Sequence, residues 1–318
     1  MSVDKRAIRK SLRTNFNPGP RDAFNRVMLR GRQATRLPAL LAGGKLDRPI
    51  FIIGAPRSGT SMLYAILREH PRLSHWPGEA HEVWEADYHP ALTGWRSNQL
   101  TEADYDEEAA ERIRRSFFLV AGSKRRLVDK TPRNALRIRF IERLFTDAHF
   151  VYLQRDGRDN VNSLINAWRT PRYRTYELSE PHAIAGADPR WWKFVLYPGW
   201  EADRKGPLEV VCANQWVASN HGALEGRAVV GADRWVEVSY ETFVEDPESG
   251  IDRILDGLDL ASDPGVRAKA QAARSKPVNI VTPPERGKWK RENPVEIRAI
   301  LPSIRSTMEE LGYPVDEH

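Results

Sequence analysis

One segment of the chain, Pro49 to Leu63, joins an apolar run to a second apolar stretch through a loop that contains glycines. The run Ile50 to Ile53 predicts a buried strand. The chain then turns at Gly54, and Thr60 and Ser61 open a predicted helix. A strand, a loop and a helix in this order aim backbone N–H groups and the positive end of a helix dipole at one point. This segment therefore predicts an anion-binding site.

The loop differs from the loop that binds nucleoside triphosphates. Gly54 and Gly59 have the spacing of the two glycines in the triphosphate motif G-x-x-x-x-G-K-S/T. The lysine of that motif reaches the β- and γ-phosphates, and Thr60 stands in its place. The cation lies within the loop instead, at Arg57. The segment thus favours a short anionic group over a triphosphate with magnesium.

A second candidate anion site follows the predicted strand His149 to Leu153. Arg155 lies just beyond this strand, and Ser163 lies in a helix predicted from Asp159 to about Trp168. A guanidinium fork and a hydroxyl donor together suit a phosphate monoester. Because ligands of parallel sheets bind beyond the carboxyl ends of the strands, we expect Arg57 and Arg155 to face one ligand.

Strands and helices alternate along the chain, which predicts an α/β fold with a mainly parallel central sheet. Residues 169–207 contain several prolines and glycines and are predicted to be irregular. The other predicted helices are 101–118, 134–145, 209–224, 247–258 and 295–311, and the other predicted strands are 127–128 and 235–238.

These patterns together resemble the sulfotransferase superfamily. The loop resembles the family's 5′-phosphosulfate loop, and an arginine within it is typical of the branch that holds the tyrosylprotein and bacterial carbohydrate-type enzymes. The resemblance implies the donor 3′-phosphoadenosine 5′-phosphosulfate (PAPS) and a P-loop-like sheet flanked by helices on both faces. Arg155 and Ser163 match the pair that binds the donor's 3′-phosphate, although Gly157 replaces the usual proline. The loop residues implied to bind the donor are Pro56, Arg57, Ser58, Gly59, Thr60 and Ser61.

Three further segments are similar to the family, and the matches together run from about residue 49 to residue 291. Lys130 stands where the family has a lysine near the sulfonate. Tyr240 stands at the end of a predicted strand, where a tyrosine of the family lies against the adenine. The C-terminal loop that closes over the 3′-phosphate in the family is similar to Arg286, Gly287, Lys288 and Trp289.

The resemblance also implies the reaction, which is in-line attack of a hydroxyl or amine on sulfur with release of adenosine 3′,5′-bisphosphate (PAP) and without a metal. Pro132 stands where cytosolic members carry a histidine base. Gly78 and Glu79 stand where the tyrosylprotein branch has a glycine and a glutamate base. The implied catalytic residues are Arg57, Glu79 and Lys130, with His81 and Glu82 as alternatives for the base.

The formal net charge of +6 is concentrated at one end of the chain. Residues 1–37 hold ten Lys and Arg against two Asp, so this stretch carries +8 and the remainder carries −2. A near-neutral body argues against a nucleic-acid-binding core. We expect a basic helical arm at 1–46, either solvated or in contact with a membrane surface or an acidic partner, and a single donor-binding domain at 47–318.

The chain has no apolar stretch long enough to span a membrane and no apolar N-terminal signal. Cys212 is its only cysteine, so an intrachain disulfide framework is excluded. These features predict a cytoplasmic protein.

The sequence indicates least about the acceptor. We expect a small molecule, a carbohydrate or a glycolipid. An aromatic-rich insert at about 169–207 is expected to be a lid over the acceptor or to pack on the body. The sequence gives no indication of the oligomeric state. Two other functions stay open. One is a phosphotransferase, favoured by Asp129 at a strand end as a magnesium ligand, and the other is a catalytically silent module that binds 3′,5′-nucleotides.

Overall fold

A parallel sheet forms the centre of the computed structural model, which describes residues 34–275 and 285–315. The strands, in chain order, are β1 (Ile50–Ile53), β2 (Leu73–His75), β3 (Arg126–Lys130), β4 (His149–Gln154), β5 (Arg174–Glu177), β6 (Trp191–Lys193) and β7 (Trp235–Ser239). The order across the central sheet is β2-β3-β1-β4-β7, and all its pairings are parallel. The strand of the anion-binding segment therefore lies in the middle, while β5 and β6 form a separate antiparallel pair.

Strand β1 is apolar throughout because both of its faces are buried. Ile50 and Ile52 join one hydrophobic cluster, and Phe51 and Ile53 join another on the opposite side of the sheet. Successive side chains of a strand point to opposite faces, so a strand between two layers needs apolar residues at every position. This burial explains why the sequence shows a continuous apolar run rather than alternation.

Helices cover the two faces of the sheet. The described helices are α1 (34–41), α2 (Thr60–Leu67), α3 (His81–Tyr88), α4 (Glu107–Ala121), α5 (Ile138–Leu144), α6 (Gly157–Arg169), α7 (Leu208–Val230), α8 (Tyr240–Glu245), α9 (Pro247–Gly257), α10 (Pro264–Ser275), α11 (Trp289–Glu292) and α12 (Pro294–Glu310). The smaller hydrophobic cluster, with Ile50, includes residues of α2, α8, α9 and α10. The larger cluster, with Phe51, includes residues of α3 to α7, α11 and α12. The predicted α/β class with helices on both faces is confirmed.

Several predicted boundaries are corrected. The predicted helix 134–145 is a 3₁₀ turn, Pro132–Leu136, followed by α5, because the backbone of Arg137 between them is not helical, with a φ of −131°. Tyr240 does not end strand β7 but begins α8, where Ser239 caps the helix by accepting from Thr242 N at 3.4 Å. The change of element turns the Tyr240 ring towards the neighbouring loop.

The predicted irregular insert at 169–207 contains the β5–β6 hairpin and a 3₁₀ turn at Trp200–Asp203. Lys193 anchors the hairpin by donating to the carbonyls of Ala167, Trp168 and Thr170 at the end of α6. Most aromatic rings between residues 168 and 200 are buried and pack on the body: Trp168, Tyr176, Trp191, Trp192, Tyr197 and Trp200. Tyr173 and Phe194 differ, since both stay half-buried.

The predicted basic arm falls largely on residues 1–33, which lie outside the described residues. Within the described ranges, no helix is both long and apolar enough to cross a membrane. Cys212 is buried in α7, and burial raises the pKa of its thiol.

We predict that Gly54→Ala lowers the free energy of unfolding by about 2 kcal/mol or more. A Cβ at Gly54 would lie 2.4 Å from the Leu153 carbonyl oxygen, and this oxygen cannot move without shifting β4. Chemical denaturation measures the loss. Gly186→Ala is the matched control: Gly186 also has a positive φ, of +77°, but a Cβ there meets nothing within 4 Å. It should lose only about 1 kcal/mol, and equal losses in the two variants would contradict the steric argument.

Candidate active site

The predicted site residues lie at the carboxyl ends of neighbouring parallel strands. The loop 54–59 follows β1, Lys130 ends β3, Arg155 follows β4 and Tyr240 follows β7. The pairing register aligns these ends, because Ile52 lies beside Lys130 and Ile53 lies beside Tyr152. Residues as far apart in the sequence as Arg57 and Tyr240 therefore meet at one edge of the sheet.

The loop after β1 is tied to the chain around β4. Arg155 donates from Nη1 to the Arg57 carbonyl at 3.0 Å, and Asn160 donates from its amide to the Pro56 carbonyl at 2.9 Å. Arg57 has a φ of 71°, a left-handed conformation that is costly for a residue with a side chain. Its side chain donates to the Tyr173 hydroxyl at 3.3 Å. The loop conformation is thus held from both sides.

Gly59 permits direct contact between the loop and Tyr240. A Cβ at Gly59 would lie 2.6 Å from the Tyr240 ring, and the φ of Gly59 is +105°. The Arg155 guanidinium lies 4.6 Å from the centre of the same ring, at a distance typical of a cation–π contact. Tyr240 therefore joins the first loop to Arg155.

Several polar groups in this region point to an anionic ligand. Ser58 Oγ and Arg155 Nε are buried and have no hydrogen-bond partner among the described residues. Burial lowers the pKa of the Arg57 guanidinium, and the charge of nearby Arg155 adds to this effect, although Tyr173 partly offsets it. The half-buried cation Arg57, the buried cation Arg155 and an unpartnered hydroxyl fit acceptor oxygens of a phosphate or phosphosulfate. Thr60 is buried at the start of α2, and Ser163 is half-buried in the second turn of α6.

Lys130 connects the anion loop with the candidate base. Its Nζ donates to Ser61 Oγ at 3.0 Å and forms an ion pair with Glu79 Oε1. The Lys130 side chain is only 3% exposed, so its charge is offset by this carboxylate. The structure thus brings Ser61, Lys130 and Glu79 together.

The three candidates for the base occupy different environments. Glu79 Oε2 lies 2.5 Å from His81 Nε2, so Glu79 and His81 are in direct contact. Glu82 instead accepts from Trp76 Nε1 at 3.1 Å. Burial opposes ionisation of Glu79, but Lys130 and His81 outweigh it and hold the pKa of this carboxyl well below its usual range.

The C-terminal loop lies against the N-terminal turn of α6. The Asp159 carboxylate accepts from Gly287 N at 2.7 Å and from Trp289 N at 3.4 Å. Lys288 forms an ion pair with Glu292 at 3.1 Å, and Arg286 is exposed. A pocket of about 120 Å³ lies beside this loop and is lined by Arg155, Asp159, Tyr240, Glu241, Val244, Glu245, Glu285 and Arg286.

Sequence reasoning missed three residues of this region and the contact made by a fourth. Asp159 and Asn160 lie inside a helix that was predicted, but a helix prediction does not show which side chains face a distant loop. Tyr173 contacts Arg57 across 116 positions, and no local pattern indicates this. Arg133 follows the Lys130 segment directly, and an arginine in the turn after a predicted strand is the signal that could have found it.

The fold and the site define a class of α/β protein with a candidate anion-binding loop at the carboxyl edge of a parallel sheet. The family model described as "Sulfotransferase family" matches residues 49–193 and 183–264, and the chain belongs to this family. The match covers the anion loop, Lys130, Arg155 and Tyr240, so the family resemblance stated from the sequence is confirmed. The PAPS donor expected from the sequence is standard for this family.

The chain is similar to several known proteins. Protein-tyrosine sulfotransferase A of Caenorhabditis elegans is 27% identical over 293 residues, which cover 83% of this chain and 67% of that protein. Nodulation protein NoeE of Sinorhizobium fredii is 25% identical over 233 residues, 65% of this chain and 49% of that protein. The chain thus spans about half to two thirds of the length of the curated relatives it matches.

One solved structure shows the same fold. Sulfotransferase STF9 from Mycobacterium avium has a TM-score of 0.59 at 14% identity, with 87% of this chain and 80% of that chain covered. At this identity the likeness supports the arrangement of strands and helices, and the roles of individual residues depend on the geometry described above.

We predict that Arg155→Ala weakens binding of PAP by about 2–5 kcal/mol, because it removes a buried guanidinium expected to pair with phosphate. Isothermal titration calorimetry measures the change. Arg267→Ala is the control, since Arg267 pairs with Glu248 on the surface, at 3.2 Å and away from the strand ends. Unchanged affinity in Arg155→Ala would contradict the assignment of this residue to the donor.

Proposed function

We propose that the protein is a PAPS-dependent sulfotransferase that moves a sulfuryl group to a hydroxyl acceptor. The observation that carries the proposal is the convergence of Arg57, Lys130, Arg155 and Tyr240 at the carboxyl ends of four adjacent parallel strands. The family membership supports the same reaction.

The donor would lie along this edge with one phosphate at each end. The loop Pro56 to Ser61 is assigned to the 5′-phosphosulfate, because it presents Arg57 and the unpartnered Ser58 hydroxyl at the start of α2. Arg155 and Ser163 are assigned to the 3′-phosphate, and Tyr240 is assigned to the adenine. Arg286, Gly287, Lys288 and Trp289 would cover this end, since Asp159 holds their loop beside Arg155.

The chemistry requires a transferable group, charge stabilisation and a base. PAPS supplies the sulfuryl group when it is bound. Lys130 lies between Ser61 and Glu79 and so is placed to stabilise negative charge on the donor side. Glu79 is placed to accept the proton of the attacking hydroxyl, because it is the carboxylate in contact with Lys130. His81 and Glu82 are less suited: His81 supports Glu79, and Glu82 bonds Trp76.

The acceptor is proposed to bind next to Tyr173 and Phe194. Their ring centres are 5.4 Å apart, both rings are half-buried, and the Tyr173 hydroxyl accepts from Arg57 of the donor loop. Both residues have a φ of 61°, and such strained conformations concentrate at functional sites. The ring pair supports an acceptor with a flat face, such as a saccharide or a small natural product. The names of the relatives support the phenolic hydroxyl of protein tyrosine as a further acceptor.

The environment of Asp129 disfavours the phosphotransferase alternative. This side chain is fully buried and accepts from Trp84 at 3.0 Å and from Asn134 at 2.9 Å. Burial raises the pKa of its carboxyl despite these donors. Asp129 is thus held by donors of the core and closed to solvent, whereas a magnesium ligand needs an oxygen open to the ion and its waters.

We predict that transfer of radiolabelled sulfate from PAPS continues at its full rate after the protein is treated with EDTA. In the proposed reaction the charge stabilisation comes from Arg57 and Lys130, which chelation does not affect. The assay uses a panel of phenols, saccharides and tyrosine-containing peptides. Loss of turnover on chelation, with recovery on adding magnesium, would favour the phosphotransferase. Binding of PAP without transfer to any acceptor would instead favour the catalytically silent module.

We predict that Glu79→Gln lowers kcat by about 10²- to 10⁴-fold, the usual contribution of a general base. Binding of PAP should stay near the wild-type value, because Glu79 is linked to the donor loop through Lys130, which pairs with it and donates to Ser61. Glu82→Gln is the control. It makes the same change three residues further along the chain, where the side chain accepts a hydrogen bond from Trp76. Near-normal turnover of Glu79→Gln would end the assignment of the base.

A further inference from the structure

His81 lies between a carboxylate and a guanidinium. Its Nε2 is 2.5 Å from Glu79 Oε2, and its Nδ1 is 2.8 Å from Arg133 Nη1. A guanidinium has donors and no acceptor, so Nδ1 must accept from Arg133 and carries no proton. The remaining proton of the imidazole is then on Nε2, where it is donated to Glu79. The contacts therefore define one tautomer of His81.

Arg133 is itself held in place by a buried polar network. It forms an ion pair with Glu85, to which the Tyr176 hydroxyl also donates, at 2.6 Å. Asn98 donates to the Tyr176 hydroxyl at 2.7 Å, and Arg137 lies 3.9 Å from Glu85. Since these side chains are nearly or fully buried, the direction of the Arg133 donor is set by the core.

We propose that His81 is a positioning residue for Glu79, and that Arg133 fixes the tautomer in which His81 acts. His81 holds Oε2 of the carboxylate and leaves Oε1, the oxygen on the Lys130 side, as the atom that takes the acceptor's proton. The hydroxyl oxygen keeps its electron pair for the new bond to sulfur, and the bridging oxygen leaves with the nucleotide. This inference rests on the proposed function, and nothing in the family resemblance assigned the role to this residue.

The pH dependence of turnover gives a signature of this role. The charged and titratable groups around Glu79 are Lys130, His81, Arg133, Asp129 and Tyr64. The hydrogen bond from His81 favours the ionised carboxylate, so its removal raises the pKa of Glu79. Turnover requires the ionised form, and the acidic limb of the kcat profile therefore moves to higher pH. A purely structural role of His81 would not move this limb.

The test compares His81→Phe with His81→Gln in the full chain, using PAPS and the best acceptor of the panel. Phenylalanine keeps the ring and removes the donor, whereas glutamine keeps an N–H near the position of Nε2. We expect His81→Phe to lower kcat about 10- to 100-fold, with an unchanged KM for PAPS and a shifted acidic limb. His81→Gln should stay within about threefold of the wild type in kcat. Thermal unfolding and PAP titration confirm that both variants fold.

A spectroscopic measurement keeps the proposal testable if His81→Phe does not fold. The ¹⁵N shifts of histidine distinguish protonated from unprotonated ring nitrogens, and the His81→Gln spectrum identifies the His81 signals among the eight histidines. We expect Nδ1 to be unprotonated and Nε2 to be protonated. A proton on Nδ1 would overturn the proposal.

The outcomes separate this inference from the function on which it rests. Wild-type protein that binds PAP but transfers sulfate to no acceptor overturns the proposed function. Wild-type protein that transfers sulfate, together with a His81→Phe variant of unchanged kcat and pH profile, overturns only the role of His81. Equal losses in His81→Phe and His81→Gln also overturn it, because the retained donor then has no effect.

Discussion

The parallel hydrogen bonding of β1 to β3 on one side and to β4 on the other determines the whole site. This pairing sets the height at which three connections leave the sheet, and each connection begins with residues of the site. Because side chains alternate along a strand, a shift of one residue in either pairing would turn the apolar side chains of β1 away from their own clusters. The two hydrophobic layers therefore fix the register, and the register brings Lys130 to Ser61 in the first turn of α2.

The charged and titratable groups behind the site form one connected series, from Lys130 to Glu85. Lys130 forms an ion pair with Glu79, and Glu79 is in hydrogen-bond contact with His81. His81 is in hydrogen-bond contact with Arg133, which forms an ion pair with Glu85. Removing one member of a buried ion pair leaves the other charge without compensation, at a typical cost of about 3–5 kcal/mol. Such a chain limits the positions that its members can adopt, and this is the property that an active site requires.

The sequence indicated the centre of this structure better than its margins. The apolar run of β1 and the glycine spacing after it are local patterns, and both predicted the element and its anion site. Strand β2 has only three residues and shows no periodicity, so no sequence pattern predicted it. The contact of Tyr173 with Arg57 and the links from Glu79 through His81 to Arg133 depend on how distant segments pack. Residue types suggested Glu79 and His81 as alternatives for the base. Their geometry suggests instead that Glu79 is the base and that His81 positions it.

Lys130 interacts with both Glu79 and the donor loop. Proton binding at Glu79 and anion binding at the loop therefore affect each other. In the proposed reaction, an anion on the loop competes with Glu79 for the Lys130 ammonium group. A carboxylate that loses a positive neighbour becomes more basic. By thermodynamic linkage, a proton on Glu79 must in turn strengthen binding of that anion. The basicity of Glu79 is then a function of donor occupancy, so the carboxylate is a weak base until the cosubstrate that needs it has arrived.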